Sequence, residues 1–191
     1  RRLLISAFLV ALYLSTSAQS QTKQQTLEGV FPRNRILQID ITIDKDDWNK
    51  IRKQSRSLAT ALGPDRQFKT IESPFTYVPA DITIDGVSYQ NIGLRKKGFF
   101  GSLDQRRPSL KVKLDKYTKG TNIEGLVSLT LNNNKQDTAL MSQFIGYDLF
   151  RTAGIPAPRA TLARVSVNGE NLGVYSHIES IRKPFLAKAF G

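Results

Sequence analysis

The sequence predicts an α+β fold, a mainly antiparallel sheet with one long packed helix. Three observations predict it. The dipeptides Asp85-Gly86 and Asn168-Gly169 each sit between alternating apolar runs, the pattern of a two-residue hairpin. Residues 36–43, 110–114 and 127–131 add further strand-like runs. One stretch, from Asp137 to Gly154, spaces its apolar residues for a wide helix face. Hairpins, strands and a single helix in that order define the class. A chain of 191 residues, 40% of them hydrophobic, suits one domain with a tail and is too apolar for a disordered chain.

At the N-terminus, Arg1-Arg2 precedes an apolar run over 3–14 and the small residues Ser15-Thr16-Ser17-Ala18. That order predicts a secretory signal peptide over 1–20, cut near Ala18, because the run is short of the roughly 20 residues of a membrane span. Membrane contact is expected only through this segment, if it stays uncleaved. Residues 21–35 open with a Gln-rich stretch and read as a flexible linker; residues 36–191 form the domain. Export without a single cysteine points to a secreted protein or the bacterial cell envelope.

In 36–43, Ile39, Ile41 and Ile43 face one way and Gln38, Asp40 and Thr42 the other, so the strand is half-buried. Asp44 stands where a helix N-cap is wanted, with Asp47 three residues on, and Trp48, Ile51, Ser55 and Leu58 follow at helical spacing. Residues 59–77 read as an irregular connection. The first hairpin pairs 80–84 with 87–94, the second 163–167 with 172–178. Between them, Asp137 or Thr138 caps the long helix, whose face is Leu140, Met141, Phe144, Ile145, Tyr147, Leu149 and Phe150. Gly154 ends it, and Pro156 and Pro158 prevent continuation. Pro184 suits the first turn of a last helix, which the chain leaves barely begun at Gly191. A fragment is expected at both ends.

Composition restricts the chemistry. With no cysteine and His177 as the only histidine, thiolate sites, His-rich metal sites and Ser-His-Asp arrangements are disfavoured. The net charge is +12, and the segment 95–119 alone carries nine Lys/Arg against Asp104 and Asp115. Within it lies Gly98-Phe99-Phe100-Gly101-Ser102, a glycine-bearing loop that lets backbone N–H groups approach an anion. On the strand that follows, Leu110, Val112 and Leu114 share one face, and Lys111 and Lys113 share the other. A phosphate-contacting hairpin fits this pattern, and so does a strand with one wet face. Beyond Phe99, Phe100 and Tyr117 the basic segment has no aromatic to stack on bases, so no nucleic-acid partner is expected.

The chain resembles the spore coat protein H (CotH) kinase-like family of secreted atypical protein kinases. The resemblance runs from about Arg35 to Gly191 and is most specific from Leu129 onward. It rests on Leu131-Asn132-Asn133-Asn134, Tyr147-Asp148-Leu149-Phe150-Arg151, Ala153-Gly154-Ile155-Pro156-Ala157-Pro158-Arg159, Val167-Asn168-Gly169, Leu172-Gly173-Val174-Tyr175, Ile178-Glu179 and Lys183-Pro184-Phe185-Leu186. What it implies is the N-terminal, nucleotide-binding lobe of a protein-kinase-like fold, C-terminally truncated over 36–191. Such a lobe would bind ATP with Mg (or Mn) and would be inactive by itself. Its partners would be the C-terminal lobe of its own chain and a protein acceptor. The loop residues Gly98, Gly101 and Ser102 would cover the phosphates, with Arg95 near. Lys113, or second Lys111, would pair with them, because Leu110-Lys111-Val112-Lys113 ends where the kinase pattern places its lysine. Glu179 would mark the edge that meets adenine.

Two positions depart from the family pattern: Gln143, where the helix would offer an acid to the strand lysine, and Arg182, where an acid follows Glu179. The family's catalytic and metal-binding aspartates lie beyond Gly191, so no catalytic or metal residue is assigned. The alternative is a secreted structural or binding module of the same fold without catalysis.

Overall fold

A computed structural model describes residues 25–64, 68 and 73–191. The signal-peptide segment lies outside them. Seven strands close into a barrel: β1 (Leu37–Thr42), β2 (Val78–Ile84), β3 (Val87–Lys97), β4 (Ser109–Lys113), β5 (Ser128–Asn132), β6 (Ala160–Val167) and β7 (Glu170–Ile178). Around the barrel the order is β1-β2-β3-β4-β5-β7-β6, and β6 returns to β1. Neighbours are antiparallel except at that last seam, where β1 and β6 run parallel. Both hairpins turn as their dipeptides require: Asp85, Gly86, Asn168 and Gly169 all have positive φ.

This closed, mixed barrel with short helices corrects the expected fold class. Among the described residues there is no kinase-like α+β lobe and no long packed helix. The helix read from 137–154 is α4 (Ser142–Thr152), with 11 residues and none of them buried. Ile145, Leu149 and Phe150 are at least half exposed. The reason is volume. Inward-facing Leu37, Ile39, Ile41, Ile82, Ile84, Ile92, Leu94, Leu110, Val112, Leu129, Leu131, Val165 and Tyr175 fill the barrel and pack on one another. The strands thus fill the core largely by themselves, with Trp48 and Ile51 of a second helix closing it, and α4 is left outside. Asp137 does cap this region, its carboxylate accepting from Ala139 N at 3.1 Å and Ser142 N at 2.7 Å.

The smaller helices are α1 (Leu27–Val30), α2 (Lys45–Lys53), α3 (Leu58–Leu62) and α5 (Lys183–Phe190). Asp44 caps α2, accepting from Asp46 N and Asp47 N, and Trp48 and Ile51 anchor it. Helix α2 stops at Lys53 and does not continue to Leu58.

The seam between β1 and β6 is reinforced by one side chain. Asn168 accepts from Ile43 N and donates to Ile43 O, both at 2.9 Å, so its amide extends the ladder past the strand end. The stretch expected as a linker packs on the barrel from Gln25 onward, and α1 lies within this strap. Gln25 donates to Ile84 O at 2.8 Å, and Val30 is fully buried. Phe31 stacks on His177 with centroids 4.4 Å apart, and its ring also meets the Arg159 guanidinium. His177 is completely buried, and its Nε2 has no hydrogen-bond partner among the described residues.

Burial pushes the His177 imidazole down to about 4. Its folded value lies below the ordinary 6.5, so the unfolded chain takes up more protons between the two. His177 therefore favours the folded state fully above pH 6.5, and that contribution fades as pH falls toward 4, by up to about 3 kcal/mol. Urea unfolding at a series of pH values should show this slope, and His177→Gln should flatten it. Phe31→Ala should cost about 3 kcal/mol in the same assay at pH 7, through the loss of a buried ring.

Candidate functional site

The outer face of β3, β4 and β5 carries the charge. Leu94, Leu110, Val112 and Leu131 point into the core, so alternation turns Arg95, Lys97, Lys111, Lys113 and Thr130 outward. Register then sets them in rungs: Lys97 beside Ser109, Arg95 beside Lys111 and Thr130, Gly93 beside Lys113 and Ser128. Lys96 is different. It points inward, and its ammonium caps the end of α2 by donating to Arg52 O at 2.7 Å.

Although they face outward, Lys111 is buried and Lys97 is half-buried. Lys111 is 7% exposed and donates to Thr130 Oγ1 at 2.8 Å and Ser180 Oγ at 2.5 Å. Lys97 donates to Asn132 Oδ1 at 2.5 Å. Burial, and then the Arg95 guanidinium, pulls Lys97 down to about 8. Burial, with Arg182, Lys97 and Arg95 after it, does the same to Lys111. Among the described residues neither ammonium forms an ion pair, whereas the half-exposed Lys113 lies 3.8 Å from Asp115. A covered cation without a counter-ion favours an arriving anion.

Beside Lys97 lies a cleft of about 680 Å³, lined by Arg56, Arg95, Lys97, Gly98, Ser102 and Asn132 among others. Gly98 and Gly101 adopt positive φ, and a Cβ on Gly101 would strike the Gln136 side chain. The turn is knitted by Ser102, whose N–H donates to Phe99 O and whose Oγ accepts from Phe99 N, each at 3.0 Å. The Arg56 guanidinium lies over the rings of Phe75 and Phe99, at 5.4 and 5.6 Å, and links the loop tip to the segment that leads into β2.

The base of the loop is held by Asn133. It is buried, and its Nδ2 donates to Ser102 O at 3.0 Å and Arg107 O at 2.8 Å. Its backbone N–H donates to Ser109 Oγ at 3.0 Å. Lys135 adds a bond to Leu103 O and an ion pair with Asp104. On the far wall Gln143 accepts from Asn132 Nδ2 at 2.8 Å, so an amide stands in that position. Among the described residues no cluster of three or more His, Cys, Asp or Glu gathers to hold a metal ion.

The expected site residues thus divide. Arg95, Gly98 and Ser102 line the cleft, and Gly101 sits on the same loop. Lys111 is the next outward position on the neighbouring strand from Lys97, and Lys113 lies at the open end of the face. Glu179 is elsewhere, past the end of β7, where Arg159 grips it at 2.7 and 3.1 Å. Burial works against the Glu179 charge, but the bonds from Arg159 hold its carboxyl below the ordinary range. Sequence reasoning missed Lys97 as a site residue by ending its strand at Leu94. Three consecutive basic residues after Leu94 hide the period; carrying the strand's period of two past Leu94 puts Arg95 and Lys97 on the outward face and would have found it.

Asn133→Ala should free two carbonyls and loosen the loop. Amide exchange over 102–107 should accelerate at least tenfold, with a loss of about 2–4 kcal/mol in urea unfolding.

The model of the family described as CotH kinase protein matches residues 94–191, just over half of the chain. Over 64 residues the chain is 38% identical to inner spore coat protein H of Bacillus subtilis (strain 168). That alignment takes in 34% of this chain and 18% of the relative, so the chain spans less than a fifth of the relative's length. The outward lysines, the glycine-bearing loop and the asparagine beneath it all fall inside the family match, and the chain belongs to the CotH family.

Proposed function

We propose that this chain is the ATP-binding part of a secreted CotH-family protein kinase. Its complete polypeptide would transfer a phosphoryl group from ATP to a protein acceptor. One observation carries the reading: Lys97 is half-buried, has no carboxylate partner among the described residues and stands beside Gly98 at the base of the loop. Arg95 and Arg56 line the same cleft, and the loop's two glycines allow close backbone approach. These residues fit the phosphates of a nucleotide. They do not fit its metal ion, and no step is assigned to Mg or Mn. The exposed apolar faces of α4 and α5 support a second lobe of the same polypeptide as a partner. The relative's place in the spore coat supports an envelope location.

The second reading, a structural or binding module without catalysis, is favoured by Gln143. It gives Asn132 an amide where an acid could have oriented Lys97.

Titration calorimetry of the chain with ATP separates the readings. Binding that Lys97→Ala weakens by about ten- to hundredfold, and Lys113→Ala less, supports the nucleotide site. Folded protein that binds no ATP supports the module. Affinity should also fall as pH rises above about 8, where Lys97 gives up its proton.

A further inference from the structure

On the other side of Lys111 the same face carries a second arrangement, which the nucleotide reading does not use. Ser180 Oγ lies 2.5 Å from Lys111 Nζ. Thr130 Oγ1 holds the amine from another side at 2.8 Å and lies 3.2 Å from Ser180 Oγ. Ser128 Oγ completes the group at 3.5 Å from Ser180 Oγ. Lys111 is buried, while Ser180 is only half-buried and lines a separate cavity of about 260 Å³. Leu126, Val127, Pro184 and Phe185 give that cavity apolar walls; Arg159 and Glu179, paired with each other, Arg182, Lys188 and Glu124 set charge of both signs around its rim. A hydroxyl at an open wall, an amine behind it and a third group orienting the amine make a nucleophile, base and orienter.

We propose that Ser180 is a nucleophile activated by Lys111 and that it takes acyl groups from small, uncharged, apolar esters seated in this cavity. Neutral Lys111 accepts the Ser180 hydroxyl proton as Oγ bonds to the ester carbonyl carbon. The tetrahedral adduct collapses by breaking the bond to the alkoxy oxygen, and the Lys111 ammonium returns the proton to that leaving group. Water repeats the sequence on the acyl-serine: Lys111 takes its proton, the carboxylic acid departs, and Ser180 is restored. Arg182, which lines the same cavity, supplies positive charge for the oxygen on which negative charge develops.

The charged groups around Lys111 favour its neutral form. Arg95 and Lys97 on β3 and Arg182 beyond β7 are cationic, and the neighbouring Glu179 is held by Arg159. The buried His177 interacts with Lys111 too and is neutral at pH 7.

The test uses the full chain with an alkyl fluorophosphonate, and p-nitrophenyl butyrate as ester. One covalent adduct should map to Ser180 by peptide mass. Its rate should climb with pH and level off above about 8. The butyrate should release one p-nitrophenol per chain in a burst. Ser180→Ala should abolish both signals without changing the thermal melt. Lys111→Met should slow labelling at least a hundredfold, and Lys111→Arg should be equally silent, since a guanidinium keeps the charge but cannot accept the proton. No adduct, an adduct on another residue, a pH-independent rate, or wild-type labelling of Lys111→Arg would overturn the proposal. The pH profile of the unaltered chain decides the matter even if Lys111→Met does not fold.

Discussion

The parallel contact between β1 and β6 is the constraint from which the rest of the molecule follows. It joins strands more than a hundred residues apart and turns a run of antiparallel pairs into a closed cylinder. Once closed, the cylinder has one inside, filled by aliphatic side chains and Tyr175. Alternation leaves β3, β4 and β5 no choice about the other half of their residues. Arg95, Lys97, Lys111 and Lys113 must face out, because a position shift of one would drive them into the core. Helices are then left to the exterior, and α4 lies there without burying a residue.

What makes that exterior chemically unusual is cover, not count. Many basic proteins carry lysines on a wet strand. Here Ser180 and Thr130 close over Lys111, and Asn132 holds Lys97, so both amines lose water without gaining a carboxylate among the described residues. The same physical condition serves two ends. Both amines give up their proton near pH 8; below that the ammonium beside the glycine-bearing loop suits an anion, and near it the amine beside Ser180 suits proton transfer to and from a hydroxyl.

Local features of this fold were legible in the sequence. Asp85-Gly86 and Asn168-Gly169 dictate their turns, Asp44 its cap, and the alternation of 36–43 its strand, because each is decided within a few residues. Closure was not legible. Nothing near Leu37 announces Ala163 as its partner, and without that pairing an open sheet with a packed helix was the natural inference from the apolar run Leu140 to Phe150. The site was half legible for the same reason. Charge and glycine marked Arg95, Gly98 and Ser102 directly. The choice among Lys97, Lys111 and Lys113 depends on which neighbours lie over each amine, and those come from residues 132 and 180. Glu179 was placed by resemblance, while its carboxylate is occupied by Arg159.

A sheet that ends in two unpaired borders offers its main chain to any extended segment that passes, whether an intended guest or a second misfolded copy. The seam between β1 and β6, continued by the amide of Asn168, removes both borders from this protein. Recruitment by strand addition is closed to it, as is the commonest route to stacked fibrils. Whatever binds the barrel must engage its side chains and loops.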